Sequence, residues 1–182
     1  MVKKIFNDND YNSSDGMLTY VWGPSLWHSL HLISFNYPNN PTTKDKIHYR
    51  NMIINLKYTL PCKYCRTNLK NNLKCLPLKM KNMKNRKTFS MYVYKLHELI
   101  NNMLNKKSNL TYEDVKERYE HFRARCKTEK KPKKKKNKTF KEMGCTTPLY
   151  GDKSKCVIKI VPKKTKCKTF QMSNKCKTKR LY

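Results

Sequence analysis

Between Thr88 and Asn105 the apolar residues Phe89, Tyr92, Val93, Leu96, Ile100, Met103 and Leu104 recur every three or four positions. That is the period of one face of an α-helix. Weaker versions of the pattern precede it. Leu26, Trp27, Leu30, Ile33 and Phe35 predict a helix from Pro24 to about Asn36, stopped by Pro38 and Pro41. Ile47, Ile53, Ile54 and Leu56 predict a second from Thr43 to Tyr58. Leu60-Pro61 breaks that one and launches a third over Cys62–Cys75, and the polar stretch Pro77–Lys87 reads as a loop. Thr111 and Asp114 make a capping-box-like start for a short fifth helix reaching about Arg125. Strand signals are absent through this region. The expected fold is all-α: four antiparallel helices with a short fifth.

Charge sets the outer limits of that bundle. The 182 residues carry a formal net charge of +30, with +13 on residues 1–126 and +17 on the much shorter 127–182. A boundary near Cys126 follows. The expected organisation is an N-terminal arm (1–20), a helical domain (21–126), a basic linker (127–144) and a Cys/Lys-rich extension (145–182). The extension is read as a small β-like unit around Cys156–Val161 or as partly disordered chain. Such an excess of cations favours nucleic acid, acidic protein or a membrane surface as partner. An A/T-rich genome explains the Lys, Asn and Ile content equally well. The basic N-terminus has no apolar stretch behind it, so no secretory signal is expected, and no run is long enough to span a bilayer.

Eight cysteines in a chain made without a signal point to redox or metal chemistry. The pair in Pro61-Cys62-Lys63-Tyr64-Cys65 is a redox dithiol or half a metal site. Zinc would need a second pair or histidines at matching spacing, and none stands close by, so no metal ligands are assigned. With Pro61 at the first helical position, both thiols fall in the first turn of a helix. The N-terminus of a helix carries about half a positive charge and free N–H groups, which stabilise a thiolate. Lys63 and Arg66 add to the effect. Both thiols are expected to be unusually acidic.

A dithiol that oxidises must pass its electrons on. There is no Gly-x-Gly-x-x-Gly or phosphate loop, and four glycines in all argue against a Rossmann domain. A flavin would have to be held by helices. Trp22-Gly23-Pro24-Ser25-Leu26-Trp27 with His28 and His31 opens the first helix, and Trp27 and His31 share a face. His97 and Asn101 lie beside the Leu96/Ile100 stripe.

In this order the motifs resemble the Erv/ALR flavin-linked sulfhydryl oxidases over roughly residues 20–126: Trp22 to His31, Tyr37 to Pro41, Pro61 to Cys65, and His97 to Lys106. The Lys/Asn richness and basic tail look most like members from large cytoplasmic DNA viruses. The resemblance implies FAD bound non-covalently in the bundle beside the dithiol. Cys65 is then the flavin-proximal sulfur, making the charge-transfer contact, and Cys62 the exposed sulfur that exchanges with substrate thiols. Gly23, Trp27 and His31 match the first flavin-contacting motif; His97, Asn101 and Lys106 match the second. Arg118 and Tyr119 match an Arg-aromatic pair in the last helix, and Tyr58 is a weaker match. Two positions depart from the family: Glu98 stands where Asn is usual, and Tyr94 where some members carry a structural cysteine.

The implied function is a thiol oxidase that makes disulfides in protein substrates and passes electrons through FAD to O2, giving H2O2. The implied substrates are virion proteins or a thioredoxin-like relay, with a homodimer as the working unit. The implied setting is the host cytoplasm, in the viral factory, or the virion. The basic tail would add a weak contact to nucleic acid or acidic protein. The rival reading is a zinc-tied, basic nucleic-acid-binding protein, told apart by bound zinc and a salt-dependent DNA affinity. The four tail cysteines, Cys145, Cys156, Cys167 and Cys176, suit a mobile shuttle dithiol or a stapled small unit, and both stay open.

Overall fold

In the computed structural model the described residues are 7–125, 144–145, 147–150, 161–162 and 164–165. They fall in two compact units that divide between Asn109 and Leu110. The linker up to residue 143 and most of the extension, including residues 156–160 of the β-like segment, lie outside the described residues.

The first unit is helical throughout: α1 (Asp8–Tyr11), α2 (Thr19–Phe35), α3 (Thr43–Thr59), α4 (Lys63–Cys75), a 3-10 turn at Met80–Met83, and α5 (Arg86–Met103). α2 packs on α5, and α3 on α4. The all-α expectation holds, and α3 and α5 begin and end within two residues of their sequence-based bounds. Both start with a reciprocal capping box, Thr42 with Asp45 and Asn85 with Thr88, which satisfies N–H groups that a helix start leaves unpaired.

Four expectations for the first unit need correcting. α2 begins at Thr19, not Pro24, so Pro24 lies inside the helix. A proline at the sixth helical position removes the bond to the Tyr20 carbonyl and crowds that carbonyl with its ring, and the helix runs on past it to Phe35. Residues 1–20 are not simply a loose arm, because Asp8–Tyr11 forms a helical turn capped by Asn7 and Gly16 forms a β-bridge with Cys62. Pro61 is not the first helical residue. Cys62 takes an extended backbone (φ −160°, ψ 120°) and is the N-cap, so the helix starts at Lys63. The Pro77–Lys87 loop contains the 3-10 turn and the first two residues of α5.

The core gathers Leu30, Tyr37, Ile53, Leu69, Met83, Phe89, Val93 and Leu96 from all four long helices and the connections between them. Tyr37 is its hinge pin. Fully buried, it packs its ring against Phe89 and Tyr49 and donates its hydroxyl to the Met83 carbonyl at 3.0 Å. Its own carbonyl accepts from Arg86 Nε at 2.7 Å. The end of α2 is thereby tied to the start of α5, which sets the register of the helix pair that carries the histidines.

The second unit contains α6 (Tyr112–Glu120), begun by the Thr111/Asp114 capping box. It ends at Glu120 and not at Arg125, because the chain turns into a two-residue antiparallel ladder, Ala124 opposite Pro148 and Arg125 opposite Thr147. A ladder this short carries no periodicity for a sequence reading to detect. Replacing Tyr37 by Phe should cost about 1–2 kcal/mol, since the buried Met83 carbonyl loses its donor; the midpoint of urea unfolding measures it.

Candidate active site

Cys62 and Cys65 form a disulfide with Cα atoms 5.2 Å apart. The spacing follows from the cap. An N-cap side chain faces the backbone N–H of the third helical residue, and here that residue is Cys65, whose N–H meets Cys62 Sγ at 3.2 Å. Where other helices use a hydroxyl or carboxamide, this one uses a sulfur. The two cysteines differ in surroundings: both are half-buried, but Cys65 packs against the hydrophobic core, while Cys62 lies at the junction with the N-terminal segment. Tyr64, between them, is 78% exposed. Arg66 turns its guanidinium back on the Leu60 carbonyl (2.6 Å) and so braces the turn ahead of the dithiol.

The second constellation lies on the seam of α2 and α5. Gly23, Trp27 and His31 recur at four-residue intervals on α2, and His97 and Asn101 do so on α5. The His97 ring stacks on Trp27 with centroids 4.0 Å apart and planes 6° from parallel. His31 Nε2 and His97 Nδ1 are 3.0 Å apart, so one ring donates and the other accepts. Burial holds His31 down to about 3, with the His97 and His28 rings adding to the effect. Burial also lowers His97, to about 4; Glu98 opposes the shift and Lys106 assists it. Both shifts favour neutral imidazoles, and a hydrogen bond between two rings needs at least one of them neutral to accept.

Asn101 is oriented by the residue that departs from the family pattern: its Nδ2 donates to Glu98 Oε1 at 3.0 Å. Its carbonyl accepts the Lys106 N–H at 2.8 Å, closing the end of α5 and leaving the Lys106 side chain exposed. Leu104 caps the helix and Asn105 follows at φ 54°, a left-handed position that Asn tolerates.

The residues present fit a flavin nucleotide. Gly23 is half-buried within a helix, yet a Cβ there would meet nothing within 4 Å. Gly is disfavoured in a helix interior, and no neighbour within the protein requires it here. The open notch lies one turn from the Trp27–His97 stack, which offers a flat aromatic surface. Asn101 and Lys106 supply an amide and a cation at the end of the same seam. Trp27 and Cys65 pack against one and the same core cluster.

Of the residues singled out from sequence, Trp27, His31 and His97 are brought into contact, and Cys62 and Cys65 are joined. Tyr58 stands 68% exposed in the last turn of α3, where Lys57 Nζ lies 4.8 Å from its ring centroid. Arg118 and Tyr119 lie on α6 in the second unit, and burial raises the Tyr119 hydroxyl to about 12. The sequence reading missed Gly16, which lies in a β-bridge against the backbone of Cys62. Its signal was available: a rare glycine in Ser-Ser-Asp-Gly, in a chain with only four. Among the described residues no group of three or more metal-ligating side chains occurs, and Cys62 and Cys65 are bonded to each other. The zinc-tied reading finds no support there.

The pattern of the Erv1/Alr family matches residues 24–120. The chain is 33% identical over 99 residues to a probable FAD-linked sulfhydryl oxidase of Acanthamoeba polyphaga mimivirus, covering 54% of this chain and 68% of that one. It is 32% identical over 99 residues to an FAD-linked sulfhydryl oxidase of African swine fever virus, covering 54% and 80%. The yeast Erv1 core shares the fold, with a TM-score of 0.51 at 17% identity, over 65% of this chain and 92% of that one.

The histidine pair sets a pH dependence. Both folded pKa values lie below the ordinary 6.5, so below that pH the unfolded chain takes up protons that the folded chain refuses. Stability is complete above about pH 6.5 and declines as pH falls towards about 4. Urea midpoints at pH 7 and pH 4.5 should differ less in His97→Phe, which keeps a ring for Trp27 and removes one titrating group. Equal differences in the two proteins would refute the assignment.

Proposed function

This chain belongs to the Erv1/Alr family, and from that premise we propose that it is an FAD-linked sulfhydryl oxidase whose working dithiol is Cys62/Cys65. The observation that carries the reading is the capped disulfide, with one sulfur against the core and the other at the surface junction. Gly23, Trp27, His31, His97, Asn101 and Lys106 would hold the flavin along the α2–α5 seam, with Tyr58, Arg118 and Tyr119 as further contacts. When bound, FAD supplies a two-electron acceptor that takes electrons from the dithiol and delivers them to O2 as H2O2.

The thiol steps need only this chain's residues. A substrate thiolate attacks Cys62 Sγ, forming a mixed disulfide and breaking the Cys62–Cys65 bond, so Cys65 leaves as thiolate. A second substrate thiolate then attacks the substrate sulfur of that mixed disulfide, releasing Cys62. Two substrate thiols become one disulfide, and their two electrons reside on the reduced pair. Cys62 leaves into the N–H of Cys65 and the positive end of α4, which favours a thiolate leaving group. Cys65, against the core, is shielded from attack.

Relatives in mimivirus and African swine fever virus suggest a viral protein acting in the host cytoplasm or virion, on virion proteins or a thioredoxin-like relay. No helix among the described residues is long and apolar enough to cross a membrane. A homodimer rests on the family alone. The +17 carried by residues 127–182 suits an acidic protein or nucleic acid.

Two experiments test the assignment. Cys62→Ser and Cys65→Ser should each abolish oxygen consumption with a small dithiol and retain flavin, and only Cys65→Ser, offered a small disulfide in place of the dithiol, should trap a mixed disulfide, Cys62 bonding one sulfur and releasing the other as a thiolate. Trapping by Cys62→Ser instead would mean that the two roles are reversed. Gly23→Ala should raise the stability of the flavin-free protein by about 0.5–1 kcal/mol while lowering flavin content on purification. Normal flavin content would remove Gly23 from the binding site.

A further inference from the structure

The segment ahead of α2 lies against the dithiol through its backbone. Met17 N–H donates to the Pro61 carbonyl at 2.7 Å, and Lys63 N–H to the Asp15 carbonyl at 3.4 Å. Gly16 is thereby set antiparallel to Cys62. Trp22 Nε1 donates to the Met17 carbonyl at 3.1 Å, which ties the segment to the first turns of α2. Gly16 adopts φ +116°, and a Cβ there would stand 2.7 Å from the Pro61 oxygen and 2.8 Å from Cys62 Cα. Both are backbone atoms, which cannot swing aside as a side-chain tip can. Conformation and space each demand glycine at this position.

We propose that Asp15–Gly16–Met17 is a backbone strap that holds Cys62 in its extended, helix-capping conformation, with Gly16 as a positioning residue for the substrate-facing sulfur. The hydrogen bonds of the strap fall on the residues either side of Cys62, so they fix the backbone on which its sulfur depends. Only the extended conformation aims Sγ at the Cys65 N–H. If the strap is lost, Cys62 can rotate towards helical dihedrals, and its sulfur leaves the N–H and the positive helix end that stabilise the thiolate. Gly16 lies ahead of residues 24–120, where the family pattern matches, so the strap is a feature of this chain outside that shared region.

The inference rests on Cys62 being the exchanging sulfur, but its test reads the thiol itself and not oxidase turnover. In a Cys65→Ser background, the rate of Cys62 alkylation by iodoacetamide is followed against pH by peptide mass spectrometry. Two strap variants are compared with the intact strap. Gly16→Ala inserts the forbidden Cβ; Met17→Pro removes the N–H that meets Pro61 and adds no side chain at residue 16, which it restricts only through the ring that follows. Each should move the alkylation midpoint up by about one pH unit, which slows the reaction about tenfold on the acid side of the profile. Unmoved profiles in both would overturn the proposal. So would a shift in Gly16→Ala alone, which would reveal a local clash and no positioning by the strap. A shift in Met17→Pro alone would remove Gly16 from the role. If Gly16→Ala does not fold, Met17→Pro decides by itself.

Discussion

Everything in the first unit depends on how α2 lies against α5, and that is decided by a buried polar contact inside an otherwise apolar seam. His31 and His97 face each other at 3.0 Å with Trp27 stacked on one of them. A buried imidazole is costly unless it is neutral and hydrogen-bonded, and two of them can meet that condition only in one register of the helices. Leu or Phe at these positions would allow sliding by a turn. The Tyr37 pin at the end of α2, bonded to Met83 and Arg86, enforces the same register from the far side. The seam is therefore specified by polar geometry and stabilised by apolar burial.

That division of labour explains how one face can be both core and binding surface. Val93 and Leu96 are buried in the core, while His97 and Asn101, a turn further along α5, reach the end of the seam. On α2, Leu30 serves the core and Gly23 leaves space. The polar members need the apolar ones to be placed; the apolar ones would pack without them. Glu98 takes part in the same arrangement: its carboxylate accepts from the Asn101 amide and so orients it.

Much of this was legible in the sequence. α5 announced itself through a three-four apolar period, α3 through a sparser set of apolar residues, and α6 through its capping residues; the grouping of Trp27 and His31 followed from a four-residue spacing. The contact of His97 with both was not readable from spacing, since His31 and His97 stand 66 residues apart; the resemblance assigned all three to one flavin site and did not give the contact. The start of α2 was misplaced because proline was taken as a boundary, although it is also accepted within an early turn. The end of α6 was misplaced because Arg123 and Arg125 suit a helix terminus as well as a strand. Gly16 escaped because a single glycine in a polar stretch carries no period, and its partner Cys62 is far away in sequence.

Among the described residues four helices are begun by oxygen acceptors, those of Asn7, Thr42, Asn85 and Thr111, whose strength is fixed. α4 is begun by a sulfur, and a sulfur's capacity to accept an N–H changes with its charge. In the disulfide it is a weak acceptor; as a thiolate it makes a charge-assisted bond. The first turn of α4 is thus held more firmly when the pair carries two extra electrons than when it does not. By linkage, whatever firms that turn favours the reduced pair, and whatever frays it favours the oxidised one. A secondary-structure element here doubles as a redox ballast: helix order and electron affinity are two readings of the same hydrogen bond.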